Sequence, residues 1–223
     1  MTIAQKLRHG LAELGQTLPE GAEQKLLRFL ELLRHWNRTV NLTAVREIDD
    51  MVAAHLLDSL AIRPWLAGKR ILDIGSGAGL PGIPLAIAEP HRSFVLLDSA
   101  AKRCRFLTQA VVELGLANVR VENRRVEDYL VSSDEAPLFS TITARAFASL
   151  DKLTAAAGHL LADRGSLLAM KGKMPQDELN TLPDGWRLQR AEKLVIPELA
   201  AERHLLILER VKIKDPERTW HES

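Results

Sequence analysis

Two carboxylates and a run of glycines mark the first place in this chain where chemistry could be done. Asp73-Ile74-Gly75-Ser76-Gly77-Ala78-Gly79-Leu80-Pro81-Gly82 follows the apolar stretch Arg70–Ile74, and a helix is expected from Pro81 to Ala88. Glycine admits positive φ and lets backbone come close to a ligand. The first N–H groups of a helix lack internal partners and favour an anion. A second acid, Asp98, ends the next apolar stretch, Phe94–Asp98, 19 residues beyond Gly79. An acid there can accept hydrogen bonds from both ribose hydroxyls of an adenosine. It could equally cap the helix that follows, as could Ser99, and the two roles are compatible.

Two adenosine-containing ligands compete for such a turn. NAD brings a pyrophosphate, and Gly77-x-Gly79-x-x-Gly82 satisfies the dinucleotide pattern literally. S-adenosylmethionine brings a carboxylate, an ammonium and a sulfonium. Three observations favour it. Read from Gly75 the spacing is Gly-x-Gly-x-Gly, with Asp73 two residues ahead, where an acid can receive an ammonium that NAD does not have. Pro81 and Pro84 fall in the first helical turn, where proline is tolerated. The chain also ends in a pattern foreign to NAD domains, described below. No Lys-Ser/Thr follows the glycines, which excludes a P-loop. A tight strand-to-helix turn with no ligand would use the same glycines; the two well-placed acids argue against it.

The elements that must position these residues follow from periodicity. Up to residue 66 the pattern is helical: Leu26, Leu27, Leu30 and Leu33 form a stripe beside Phe29, Asn41-Leu42-Thr43 breaks it, and a second helix is expected from Asp49 to Ile62, before Pro64. From Arg70 short apolar strands alternate with helices. Strands are expected at 70–74, 94–98, 118–122, 138–143 and 166–170, with helices at 101–114, 127–131 and 150–161. Such alternation argues a parallel sheet covered on both faces. Strands at 187–196 and 203–208 have too few residues between them for a helical crossover, so they pair antiparallel. The fold class is therefore α/β. The expected arrangement is that of class I S-adenosylmethionine-dependent methyltransferases, Rossmann-like, with a mainly parallel seven-stranded sheet and an antiparallel last strand. The division is an N-terminal helical extension (1–66), a methyltransferase domain (67–212) and a C-terminal tail (213–223).

Composition excludes several alternatives. With one cysteine among 223 residues, no internal disulfide or thiolate cluster forms. No apolar run spans a bilayer, and Met1–Gly15 lacks the apolar core of a signal peptide, so the expectation is a cytoplasmic protein with no membrane partner. The seven histidines show no metal spacing; no metal is expected, and His55-x-x-Asp58 is read as capping or packing. The net charge of +1 leaves any nucleic-acid affinity to local patches. Between residues 102 and 125, Lys102, Arg103, Arg105, Arg120, Arg124 and Arg125 face only Glu113 and Glu122. Arg145 follows the fourth strand, and Lys171 and Lys173 the fifth. Ligands of open α/β sheets bind at carboxyl ends of strands, so a basic rim there suits a phosphodiester. A solvated surface with ion pairs is the bland alternative.

The chemistry narrows by absence. The stretch Thr143–Leu150 lacks the Asn/Asp-Pro-Pro-aromatic motif that gathers an exocyclic amine. Cys104 sits in a helix after the second strand, as a small buried apolar residue rather than a nucleophile. An atom that already owns a lone pair remains, such as guanine N7, which needs positioning rather than a general base.

The ordered set Trp36-Asn37, Asn41-Leu42-Thr43, His55-Leu-Leu-Asp58-Ser59, Asp73–Pro84, Leu97-Asp98-Ser99, Lys102-Arg103, Arg125-Val126-Glu127, Arg145–Ala148 and Lys171-Gly172 resembles the 16S ribosomal RNA guanine-N7 methyltransferase family, that of glucose-inhibited division protein B or small-subunit methyltransferase G. The similarity runs from about residue 36 to 210. It implies S-adenosyl-L-methionine as donor and N7 of a guanosine in the 530 loop of 16S rRNA as acceptor, presented by the small ribosomal subunit or an assembly intermediate. The residues themselves point to no obligate protein partner, and a monomer is the expectation. The resemblance further implies that Gly75 and Leu80 contact the donor with Asp73, Gly77, Asp98 and Ser99. Val126 and Glu127 then lie beside the adenine, and Arg145 beside the donor. Arg145 and Lys171 sit at the active centre in positioning roles, and Lys102, Arg103, Arg125 and Lys171 meet RNA. Ala78 stands where the family often has proline. The competing readings are a small-molecule methyltransferase, which would want an apolar lid that 4% aromatic content hardly furnishes, and a non-catalytic RNA-binding module, which has no need of an intact glycine loop.

Overall fold

A computed structural model describes residues 1–130 and 138–211. The helical beginning is α1 (Ile3–Glu13), capped reciprocally by Thr2 and Gln5, and α2 (Ala22–Val40). In α2 the stripe Leu26, Phe29, Leu30, Leu33 and Asn37 is buried, and Asn41 ends the helix in the left-handed region at φ 50°. Asn37 then organises the break. Its amide donates to the Thr43 carbonyl at 2.9 Å and accepts from the Thr43 N–H at 2.9 Å. The helix expected over 49–62 is interrupted. An α turn at Ile48–Met51 (α3) passes into a π-helical stretch, Val52–Leu57, and returns to α at Asp58–Leu60 (α4). Wider turns of this kind concentrate at functional sites.

Seven strands follow, β1 (Arg70–Ile74), β2 (Ser93–Asp98), β3 (Val119–Asn123), β4 (Phe139–Arg145), β5 (Leu161–Lys171), β6 (Trp186–Leu194) and β7 (Arg203–Arg210). Their order in the sheet is β3-β2-β1-β4-β5-β7-β6. The first five run parallel; β7 pairs antiparallel with both β5 and β6. The antiparallel ending expected from the short 197–202 connection is thus present. Helices α5 (Gly82–Ala88), α6 (Ala101–Glu113), α7 (Leu150–Ala157) and α8 (Gln176–Asn180) complete the layers. The direction of the winding reverses between β1 and β4, which makes their carboxyl ends the expected ligand crevice. Two departures are local. Residues 127–130 form a turn and irregular backbone instead of the expected short helix, whose last residue lies outside the described ones. Helix α8 carries no extended apolar stripe and was not expected.

The segment before residue 67 has no core of its own. Leu26, Phe29 and Leu30 of α2 belong to one buried cluster with Ile83 of α5 and Phe106 and Leu107 of α6. Trp36 and Phe29 both lean on Phe106, with ring centroids 5.8 and 6.3 Å away. Aromatic pairs in such tilted arrangements add roughly 0.5–1.5 kcal/mol beyond burial. The helical segment is therefore locked onto one face of the sheet, and the C-terminal tail lies outside the described residues. Among those residues, no helix is long and apolar enough to cross a membrane. Asn37→Ala leaves buried backbone groups of Thr43 unpaired; unfolding in urea should show a loss of about 2 kcal/mol, whereas an unchanged midpoint would remove Asn37 from this role.

Candidate active site

The glycine turn adopts the conformations its residues allow. Gly75, Gly77 and Gly79 have φ of 63°, 56° and 77°. At Gly79 a Cβ would stand 2.5 Å from Ile83 Cδ1, and at Gly82 it would stand 2.3 Å from Leu96 Cδ2 and 2.7 Å from Asp73 Oδ2. Neither position accommodates a side chain without displacing core.

Two carboxylates clamp this turn from beneath. Asp73 is fully buried; its Oδ1 accepts from Thr143 Oγ1 at 3.0 Å and its Oδ2 from the Gly82 N–H at 3.3 Å. Burial raises its pKa from 3.8 to about 6, against the pull of these hydrogen bonds and of Arg145. Asp98 is 3% exposed, with Oδ2 accepting from the Gly77 N–H at 2.9 Å and Oδ1 from the Ala100 N–H at 2.8 Å. Arg103 stands 3.5 Å from Asp98 Oδ2. As placed, both acids hold the loop itself, and Asp73 acts on a ligand only through it. Gly75 and Ser99 are exposed and Gly77 is half-buried, whereas Leu80 and Val126 point into core and Glu127 is exposed. Sequence reasoning put all of these at the carboxyl ends of β1 to β3, and there they lie.

A second group gathers at the ends of β4 and β5. His55, Asp58, Arg145, Lys171 and Arg203 line a cleft of about 360 Å³. Asp58 is 1% exposed and lies between two guanidiniums, Arg145 Nη1 at 2.8 Å on Oδ2 and Arg203 Nε at 3.1 Å on Oδ1. Burial pushes its pKa up, and the two arginines oppose that shift. Arg145 Nη1 also donates to the Ala54 carbonyl at 3.1 Å. His55 Nε2 is 2.9 Å from Thr43 Oγ1, and its pKa falls from 6.5 to about 4, chiefly through burial, then through Arg145. It is neutral at pH 7.

The placement revises several expectations. His55 and Asp58, read as packing residues, stand in the cleft with Arg145. Lys171 is not a free cation: its Nζ donates to Glu178 Oε2 at 2.9 Å and to the Ala148 carbonyl at 3.0 Å. Lys102 and Arg125 are exposed and make no ion pair among the described residues. Arg203 was missed altogether. Its signal was topological, since the first residue of an antiparallel neighbour of β5 must lie at the carboxyl end of β5. The two regions adjoin through Phe147, whose ring is 3.7 Å from where a Gly75 Cβ would be. No group of acids, histidines and cysteines suited to a metal occurs among the described residues.

Comparison with known proteins shows what the chain as a whole is similar to. The model of the family described as rRNA small subunit methyltransferase G matches residues 22–206. A ribosomal RNA small subunit methyltransferase G of Nitrosococcus oceani is 54% identical over 202 residues, covering 91% of this chain and 92% of the relative. One from Marinobacter nauticus is 48% identical, covering 93% and 95%. Among solved structures, TrmN from Thermus thermophilus superposes with a TM-score of 0.51 at 19% identity, over 78% of this chain and 53% of the other. A Streptococcus agalactiae protein of the NADB-Rossmann superfamily gives 0.55 at 12%, over 70% and 69%. These structural likenesses speak to the fold.

Three outcomes follow from the cleft. Asp58→Ala strands two guanidiniums and should cost about 3–5 kcal/mol; Arg145→Ala should also lower the melting temperature because Asp58 loses a partner. A neutral buried histidine means the unfolded chain binds the extra proton between pH 6.5 and 4, so stability falls as pH drops through that window. Denaturant titrations at pH 7 and 5 should show wild type losing about 2 kcal/mol more than His55→Asn. Equal losses would contradict the neutral imidazole.

Proposed function

The chain belongs to the family of rRNA small subunit methyltransferase G, and we propose that it methylates N7 of a guanosine in the 530 loop of 16S rRNA. It is a methyltransferase of small-subunit ribosomal RNA that uses S-adenosylmethionine. The observation that carries the finer reading is the adjacency of two unlike sites, a glycine turn backed by two carboxylates and a cleft holding a buried ion-pair cluster, joined at Phe147.

The residues present fit the donor. A cationic ligand gains from the negative charge of Asp73 and Asp98 behind the loop, and Gly75 and Gly77 leave room for close backbone approach. When bound, S-adenosylmethionine supplies a methyl group activated by its sulfonium. The protein's part is positioning. Gly75, Gly77, Ser99 and Glu127 mark out the donor crevice along β1 to β3, with Leu80 and Val126 securing it from within the core. Asp98 sets the Gly77 end of the loop, and any free lone pair remains available to a ribose hydroxyl. Arg145, fixed by Asp58 and Ala54, borders both sites, and Lys171 fixes the Ala148 end of the segment that carries Phe147.

Guanine N7 holds its lone pair in the ring plane and carries no proton, so the N–C bond forms as the C–S bond breaks and no base is required. The three buried acids are not free to act as one: Asp58, Asp73 and Asp98 are all committed to internal hydrogen bonds. The target base has to leave its stack to reach the cleft. Lys102, Arg103 and Arg125 would meet phosphates around it, and such contacts weaken steeply with salt.

Incubation with labelled donor and unmethylated small subunits should place label in 7-methylguanosine. Label in another nucleoside, or only in small metabolites, would overturn the assignment. Asp98→Ala releases two loop N–H groups and should weaken donor binding about tenfold or more, by calorimetry, with subunit affinity nearly unchanged. A donor affinity equal to wild type would remove Asp98 from the donor site.

A further inference from the structure

The hydrogen bonds around His55 leave one polar atom over. Thr43 Oγ1 accepts from the Val45 N–H at 3.2 Å and lies 2.9 Å from His55 Nε2. If Nε2 carried the ring proton, the Thr43 hydroxyl proton and the Nδ1 lone pair would both be orphaned. If Thr43 donates to Nε2, all of Thr43 is satisfied and the single orphan is the Nδ1–H. Buried polar groups minimise orphans, which selects the second arrangement. Nδ1 has no hydrogen-bond partner, on a residue only 3% exposed that lines the cleft. The neighbouring Ala54 carbonyl, already taken by Arg145, lies close enough to act on the ring but not in the geometry of a hydrogen bond to Nδ1. An unpartnered donor fixed this deeply is satisfied by a ligand in the cleft once the wall over it gives way.

The surroundings say which kind. Ala54, Ala146, Met170 and Val45 give the cleft apolar walls, suited to a flat ring. Lys171 is matched by Glu178, and the single carboxylate of Asp58 answers both Arg145 and Arg203, so the cleft keeps one positive charge in excess. The carbonyl edge of a flat ring gains from that charge while its faces cover the apolar walls, which a phosphate would leave bare. We propose that His55 is a specificity-determining residue whose Nδ1–H holds the O6 carbonyl of the target 6-oxopurine inside this cleft. The inference rests on the reading of the cleft as the acceptor site.

The contact has two consequences for the reaction. O6 and N7 share one edge of guanine, so a donor on O6 fixes N7 without occupying its lone pair. One imidazole proton suits this better than a guanidinium fork, which covers O6 and N7 together. Adenine presents an amino group at the same place. Donor would then face donor, leaving both unpaired, the situation in which hydrogen-bonding sites discriminate most strongly.

Two substitutions separate this role from a merely structural one. Asparagine places an amide N–H near the position of Nδ1 but loses the Thr43 bond. Glutamine reaches the position of Nε2 and keeps Thr43 but leaves nothing at Nδ1. With unmethylated small subunits and S-adenosylmethionine, His55→Asn should keep kcat/KM within about fivefold of wild type and His55→Gln should lose about 100-fold, both with donor affinity unchanged. The reverse order, or equal losses, would overturn the proposal. A second measurement needs no variant. Small subunits carrying adenosine at the target position should compete with guanosine subunits at least about tenfold more weakly for wild type, and His55→Gln should narrow that gap. No gap in wild type, or a gap that His55→Gln leaves intact while both subunits weaken, would point to a backbone phosphate and reject the base contact. Failure of wild type to methylate small subunits at all would be a different result, rejecting the acceptor site itself.

Discussion

The carboxylate of Asp58 holds three parts of this protein together. It comes from the helical segment, and its partners come from the end of β4 and the start of β7, 87 and 145 residues away in sequence. A carboxylate at 1% exposure is costly to bury alone. Two guanidiniums offset that cost, and each is held in one rotamer in return. The consequence is geometric: Arg145 cannot swing, because its Nη1 is bound to both Asp58 and the Ala54 carbonyl. The two guanidiniums that border the cleft take their positions from this arrangement, while the imidazole one turn earlier is held by Thr43.

The donor side uses the same device with backbone in place of guanidinium. Asp73 and Asp98 each grip a loop N–H, so the glycines adopt left-handed conformations that are held from beneath and open above. Hydrogen bonds to charged acceptors are roughly twice as strong as neutral ones, which suits a loop without side chains of its own. The proteins' negative charge is thus stored under the donor crevice, while cations stand at the acceptor side. A cationic donor and a polyanionic acceptor therefore approach complementary regions across Phe147.

Much of this was legible in the residues. The apolar strands, the glycine turn, the paired acids and the antiparallel ending are local patterns, and a mainly parallel sheet follows from them, but not the order of its strands. What was not legible depends on long-range pairing. His55 and Asp58 looked like one polar helix face because their partners lie far away along the chain. Lys171 looked free because Glu178 sits on α8, whose short polar turn leaves no periodic signal. The helix expected at 127–131 failed for the converse reason: Tyr129 and Val126 are drawn into the core as single anchors, so their spacing reflects burial of a turn rather than a helical stripe. Asp73 was placed correctly and its contact was not, because a strand-end acid looks the same whether it points out to a ligand or back into the turn.

The scattered origin of the cleft has a consequence for synthesis. A chain emerging from the ribosome already contains the whole glycine turn and both of its acids once residue 98 is made, yet Asp58 must wait for residue 203 before its second guanidinium exists. Until then the helical segment carries an incompletely neutralised carboxylate that resists burial. The acceptor side therefore cannot be completed until the start of β7 has been made.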